Sequence, residues 1–339
     1  MSDKPHLSGP KFGRQIELNS DVAINGTGQT EIAINGIDRT DVSELDPINE
    51  FIRDSLSDNT RRAYASDLAR FEAWGGHVPA TVEMIAAYLS DHAASHACTT
   101  LTRWLASLSK AHRALRTNDP TREELVRSVL RGIRRRYGRP PEQAAPLTRE
   151  ILFETLDAIP DDLRGIRDKA LLLVGFAGGF RRSELVSLEI ADIETEEEGL
   201  VLTIRKSKTD QTSQGRRIGI PYARGRHCPV KASRAWIEAA SIETGPIFRS
   251  VDRHGVISAI GLSGQAVSLM IKERLLRADL GPMGYSGHSL RSGFVTSAAK
   301  AGVPSWKIRQ QTGHTTDTML DRYIRDAELF VGNAAGAIL

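Results

Sequence analysis

The chain has 339 residues, 40% hydrophobic and 26% charged, which is enough for two domains with separate apolar cores. Its only cysteines, Cys98 and Cys228, lack Cys or His partners at metal-ligand spacing, and no apolar run approaches the roughly 20 residues of a membrane span. The net charge of +3 is uneven: residues 1–50 hold four Lys/Arg against nine Asp/Glu, whereas Arg103 to Arg139 hold eleven basic and three acidic residues. Together these features argue against a disulfide framework, a zinc module and a membrane protein. The start MSDKPHLSGP also lacks the basic-then-apolar order of a signal peptide, so a cytoplasmic protein in a reducing compartment is expected. The basic block suits the regularly spaced charge of nucleic-acid backbone; on charge alone, a solvated helix face explains it equally well.

Residues 1–46 are acidic, rich in Gly, Asn, Asp and Thr and poor in aromatics, a composition expected to stay disordered. A ten-residue echo, Ala23-Ile24-Asn25-Gly26 and Ala33-Ile34-Asn35-Gly36, offers two turn-forming Asn-Gly pairs but no repeat architecture. Asp46-Pro47 reads as an N-cap followed by proline at the first helical position. From residue 47 to 137 about five helices are expected. The second, Asn59 to Trp74, places Tyr64, Leu68, Phe71 and Trp74 on one stripe. Val82 to His92, Thr99 to Leu115 and Arg122 to Arg136 supply the others, and strand patterning is almost absent.

Residues 138–146, Gly-Arg-Pro-Pro-Glu-Gln-Ala-Ala-Pro, cannot continue a helix and form the clearest linker. Thr148 then caps a new helix, and Asp168 to Ala177 forms a strongly apolar one. Leu200 to Ile204 alternates like a strand and Arg216 to Ile220 like its antiparallel return, with polar Ser207 to Gly215 between them. Helices follow near Pro229 to Ala240, Gly264 to Ala278, His288 to Ala301 and Pro304 to Thr312, before a short one carrying Tyr323. The expected fold is mainly α with a small antiparallel β-sheet.

Four short segments carry chemistry-bearing residues. In Gly287-His288-Ser289-Leu290-Arg291, a histidine and an arginine three apart share a helix face, which suits phosphate better than metal, though a surface pair would look the same. In Gly178-Gly179-Phe180-Arg181-Arg182-Ser183-Glu184-Leu185, arginines enter a helix, as anion ligands or as solvated side chains. The segment Arg205-Lys206-Ser207-Lys208-Thr209-Asp210 places lysines at a hairpin tip, for DNA or for solubility. Finally, Gly313-His314 precedes Tyr323 by nine residues, and a surface tyrosine with a packed ring is the plain alternative there.

Taken in order, Arg-x-Ser-Glu-Leu, hairpin Lys-Thr, His-x-x-Arg, Gly-His and a tyrosine nine residues after that histidine resemble the tyrosine recombinase, or phage integrase, family related to Cre and the Xer proteins. Asn59-Thr60-Arg61-Arg62-Ala63-Tyr64 followed by Phe71 resembles the opening of the family's core-binding domain, so the likeness runs over about residues 47–330. It implies a two-domain C-shaped DNA clamp: a helical, SAM-like core-binding domain over 47–137, a linker over 138–146, and an α+β catalytic domain over 147–325. Residues 326–339, with apolar Leu329, Phe330 and Val331, would be exchanged between protomers.

By position, the resemblance assigns Arg181, Lys208, His288, Arg291, His314 and the nucleophile Tyr323 to catalysis, with Glu184 orienting an arginine. Lys208 fits the hairpin lysine better than Lys206 because Thr209 follows it. Arg103, Lys110, Arg113, Arg131, Arg134, Arg135 and Lys206 are the candidate DNA contacts. The implied activity is site-specific recombination through a 3′-phosphotyrosyl intermediate and a Holliday junction, without metal, ATP or other cofactor. It would serve integration, excision, transposition or dimer resolution, at the nucleoid. The implied partners are double-stranded DNA sites and a homo-tetramer on paired sites, monomer or dimer off DNA, and no membrane. Two alternatives share the fold: a DNA-binding accessory protein that does not cleave, and a type IB topoisomerase or telomere resolvase acting on one duplex.

Overall fold

The structure is a computed structural model that describes residues 58–139, 144–205, 215–317, 320 and 323. The expected tail, the first helix, the hairpin tip with Lys206 and Lys208, and the segment 326–339 lie outside the described residues. The chain divides into two units between Pro140 and Pro141.

The described residues of the first unit form the helices α1 (Asp58–Trp74), α2 (Val82–Asp91), α3 (Cys98–Ala114) and α4 (Glu124–Tyr137). Of the α1 stripe only Phe71 is fully buried, with Leu68 and Trp74 packed at the edge of the core. Phe71 meets the edge of the Tyr88 ring at 4.9 Å, and Tyr88 stacks on Trp104 at 5.1 Å, which joins α1, α2 and α3 around one aromatic column. The same helices are tied by a buried polar contact, in which Asp67 accepts from Ser107 Oγ at 2.8 Å and pairs with Arg103 at 3.0 Å. His112 is fully buried with both ring nitrogens engaged, Nδ1 near the Leu108 carbonyl and Nε2 accepting from the Ala80 amide, so it is a core histidine. Asp119 caps a 3₁₀ turn at Pro120–Arg122, and α4 starts two residues after that turn.

In the second unit, α5 (Arg149–Asp157) follows Thr148, which takes the N-cap position but makes no side-chain cap bond. The central α6 (Leu163–Ala177) is buried over most of its length, as its unbroken apolar run requires. A one-and-a-half-turn helix, α7 (Arg182–Val186), follows directly. The sheet has three antiparallel strands, β1 (Ile193–Thr195), β2 (Gly199–Ile204) and β3 (Arg216–Pro221), with Leu202 opposite Ile218 and Ile204 opposite Arg216. Inward Leu200, Leu202, Ile204, Ile218 and Ile220 join the main core.

The α8 helix (Pro229–Ala239) lays Trp236 into that core with its Nε1 donating to the Ile247 carbonyl. A second hairpin, β4 (Arg249–Val251) with β5 (Ile257–Gly261), precedes α9 (Gly264–Arg277), whose Arg274 joins Arg167 in pairing with buried Asp168. Last come α10 (Ser289–Lys300) and α11 (Ser305–Thr312). The chain at Ala145 and Leu147 donates to the carbonyls of Gly284 and Ser289, so the second half of the expected linker is hydrogen-bonded into this unit. Neither β1 nor the β4–β5 hairpin is among the elements expected from the sequence. Among the described residues, no helix is long and apolar enough to cross a membrane.

Candidate active site

Five of the six residues expected to do chemistry meet where α7, α10 and the end of α11 converge. Arg181 stands at the N-cap of α7, reached through a turn at Gly179 with φ +56°. A Cβ at Gly179 would also come within 2.8 Å of the Thr312 methyl, so glycine is required on both counts. Glu184, 2% exposed, accepts from the Arg181 amide at 2.9 Å and from Arg181 Nη1 at 2.6 Å, which fixes that guanidinium. Arg182 turns the other way, 3.4 Å from Ser268 Oγ on α9, and is exposed.

Arg291, one turn into α10, is only 2% exposed. Its Nη1 donates to the carbonyls of Gly179 (2.7 Å) and Thr312 (2.5 Å), whereas its Nη2 is buried with no hydrogen-bond partner among the described residues. Burial first, then Arg181, lowers its pKa to about 10, so it remains a cation at neutral pH. The burial of Arg291 excludes a surface His/Arg pair, the plain alternative for this helix.

His288 caps α10 rather than lying inside it, and its Nε2 is 3.3 Å from the Tyr323 hydroxyl. Burial, followed by the Arg291 and Arg181 guanidiniums, lowers its pKa, which keeps the ring neutral and able to take a proton. Tyr323 packs, partly buried, against the apolar cluster formed by Val295, Ala299, Ile308 and Leu320. His314 follows Gly313, which ends α11 in the left-handed region at φ 70°. A Cβ at Gly313 would lie 2.6 Å from Arg216 Nη1. His314 Nδ1 is 2.7 Å from Thr312 Oγ1. Burial, then Arg291, Arg181, His288 and Arg216, lowers the His314 pKa to about 3.

These shifts have a stability consequence. A histidine held neutral in the fold takes up its proton only on unfolding, so its contribution is intact above the unfolded pKa near 6.5 and is lost as pH falls below it. For His314 the slope is about 1.4 kcal/mol per pH unit between roughly 6.5 and 3. The melting temperature should fall steadily below pH 6.5, and His314→Gln should make that fall shallower. A variant that keeps the wild-type slope would show that His314 titrates normally in the fold.

Two residues absent from the expected set complete the cluster. Arg216, the first residue of β3, donates from Nη1 to the Gln311 carbonyl at 2.8 Å and brings Nη2 to 3.5 Å from Glu184 Oε2. It ties the base of the β2–β3 hairpin to both Arg181's carboxylate partner and the end of α11. Gln311 in turn donates from Nε2 to the carbonyls of Ala177 and Gly219. Parity along β3 was the available signal, since residues 216, 218 and 220 share one face and Ile218 and Ile220 are plainly core.

The six described candidate DNA contacts form exposed rows on α3 (Arg103, Lys110, Arg113) and α4 (Arg131, Arg134, Arg135). Arg134 donates to Thr102 Oγ1 at 3.1 Å, joining the rows. Three of the six face carboxylates: Arg103 with Asp67, Arg113 with Asp119 and Arg131 with Glu124.

Residues 147–329 match the model of the phage integrase family. The integrase/recombinase xerD homolog of Selenomonas ruminantium is 36% identical over 290 residues, covering 83% of this chain and 85% of that protein. The recombinase cre of Escherichia phage P1 is 25% identical over 309 residues, covering 83% and 88%. Among solved structures, XerH recombinase in a post-cleavage complex with palindromic difH superposes with a TM-score of 0.59 at 16% identity, covering 81% of this chain and 78% of that one. A lambda integrase dimer bound to a COC′ core site gives 0.57 at 20%, covering 84% and 77%. The cluster of two arginines, two histidines and a tyrosine therefore sits in a chain that belongs to the phage integrase family of tyrosine recombinases.

Proposed function

We propose that this chain is a site-specific DNA recombinase that cuts and rejoins strands through a covalent bond to Tyr323. The observation that carries the reading is the buried Nη2 of Arg291, without a hydrogen-bond partner among the described residues and set in one cluster with Arg181 and with a histidine 3.3 Å from the tyrosine hydroxyl. Attack on a phosphodiester concentrates negative charge on the non-bridging oxygens, and two guanidiniums fixed by Glu184 and by backbone carbonyls meet that charge without having to reorganise.

In the proposed step the Tyr323 oxygen bonds to phosphorus as the bond to the 5′-oxygen breaks, and the phenolic proton passes to neutral His288. His314 supports a non-bridging oxygen, and Lys208 protonates the departing 5′-oxygen. The phosphotyrosyl bond keeps the energy of the bond it replaces, so attack by the 5′-hydroxyl of another strand reverses the chemistry with neither metal nor nucleotide. The first unit is the core-binding domain and the second the catalytic domain, joined by the 138–146 linker. Four protomers on two sites exchange residues 326–339.

Sequencing the DNA covalently trapped on the protein in cells that express it should return one or a few discrete sites. A suicide duplex carrying such a site should then give a detergent-stable adduct at the 3′ end of the cut. DNA binding without any adduct would favour the accessory-protein reading. Relaxation of supercoiled plasmid without exchange between sites would favour a topoisomerase. Lys208→Ala should slow cutting more than Lys206→Ala, and the reverse order would reassign the hairpin lysine. Arg134→Ala and Arg135→Ala should each weaken DNA binding and reduce the slope of log affinity against log salt by about one.

A further inference from the structure

We propose that Thr312 is a positioning residue that fixes the tautomer of His314, so that the site receives a DNA phosphate at His314 Nε2 only together with a proton. The inference rests on the reading of His314 as a phosphate-contacting group. Thr312 is fully buried, and its Oγ1 lies 2.7 Å from the Ile308 carbonyl and 2.7 Å from His314 Nδ1. A hydroxyl has a single proton. The Ile308 carbonyl has none, and two bare oxygens at that separation would repel, so the hydroxyl proton belongs on Ile308. Thr312 Oγ1 must therefore accept from His314, which places the imidazole proton on Nδ1 and leaves a lone pair on Nε2.

A lone pair facing a phosphate oxygen is repulsive, and Nε2 becomes a donor only in the imidazolium form. In the site without DNA, burial opposes that second proton first, and then the groups facing His314: Arg291 from α10, Arg181 from the start of α7, His288, and Arg216 from β3. A phosphate held by the same arginines offsets their charge, so the proton enters from solvent as the anion binds. Thr312 also accepts from Arg291 Nη1 through its carbonyl, and its methyl lies against Gly179. One residue, through its carbonyl and its hydroxyl, thus links the position of the second arginine to the protonation of the histidine.

The test uses the full chain labelled with ¹⁵N-histidine, with His314→Gln identifying the His314 resonances. The wild type should show an Nδ1–H ring, Thr312→Ser should keep it, and Thr312→Val should move it to Nε2–H or a mixture. Covalent adduct formation on the suicide duplex, followed against pH, supplies the second arm. The wild-type rate should fall about tenfold per pH unit on the alkaline side as the imidazolium is lost. Thr312→Val, able to donate from a neutral ring, should show a flatter alkaline limb with a rate about tenfold lower at its optimum, and Thr312→Ser should restore both.

A wild-type Nε2–H ring overturns the proposal. So does a Thr312→Val protein with unchanged tautomer and a parallel pH profile, even if it melts earlier. Thr312→Ala, which adds no bulk, takes the place of valine if the latter does not fold. Absence of a Tyr323-dependent adduct from the wild type would instead overturn the recombinase reading, and the tautomer spectra would still decide the role of Thr312.

Discussion

Tyr323→Phe should remove covalent adduct formation, a fall on the order of 10⁶-fold and so below detection, while leaving the protein folded and able to bind DNA. The two effects separate because the ring and the hydroxyl have different neighbours. Tyr323 packs, partly buried, against the apolar cluster of Val295, Ala299, Ile308 and Leu320, and phenylalanine preserves that packing. The hydroxyl lies 3.3 Å from His288 Nε2, a long contact whose loss costs about 1 kcal/mol or less, or roughly 2–4 °C in melting temperature for a unit of this size. Phenylalanine has no oxygen to bond to phosphorus, and the lowered pKa of His288 then serves no proton transfer. A detergent-stable adduct persisting in this variant would move the nucleophile elsewhere and discard the assignment.

The same tyrosine shows which parts of the site the sequence exposes. Read alone, Tyr323 is a residue whose ring covers a surface, and it does pack; only its place after Gly313-His314, in the order shared with a family, singles it out. The helix expected over Asp168 to Ala177, which in the structure begins at Leu163, is legible because one physical requirement, burial of an apolar run, writes itself along many positions. Ile193–Thr195 is three residues long and has a half-exposed pattern, too short for alternation to rise above chance.

Thr312 and Arg216 are hidden for a different reason. Arg216 meets Glu184 and the Gln311 carbonyl, and Thr312 accepts from Arg291 through its own carbonyl; these contacts are set by how α7, α10, α11 and β3 meet, and no local period records a tertiary hydrogen bond. Arg216 was nonetheless half visible, since an arginine on the same strand face as Ile218 and Ile220 must find a buried partner. Glu184 is that partner, and the two arginines on one carboxylate explain why a glutamate stands three residues after Arg181.

Arg291→Lys should retain a positive charge and still lose about 10²–10³-fold in cleavage rate. The two ends of the guanidinium do separate jobs. Nη1 bridges the carbonyls of Gly179 and Thr312, holding the turn before Arg181 to the end of α11, and Nη2 is buried without a partner among the described residues. An unpaired buried donor costs about 1–3 kcal/mol, which the fold recovers when a phosphate oxygen arrives. A lysine ammonium is one point rather than a fork, so it can satisfy the carbonyls or the phosphate, but not both in their present positions.

Arg291→Ala strands both carbonyls and opens a cavity, so it should melt well below Arg291→Lys as well as fail to cut. The informative measurement is therefore the cutting rate of Arg291→Lys at saturating DNA. A rate within tenfold of wild type would mean that charge alone suffices and that the orphaned Nη2 is not the group that meets the phosphate. A large loss at saturating DNA, with site affinity little changed, would place the interaction in the transition state, where a guanidinium held by Nη1 and offering Nη2 to a non-bridging oxygen acts and a point charge does not.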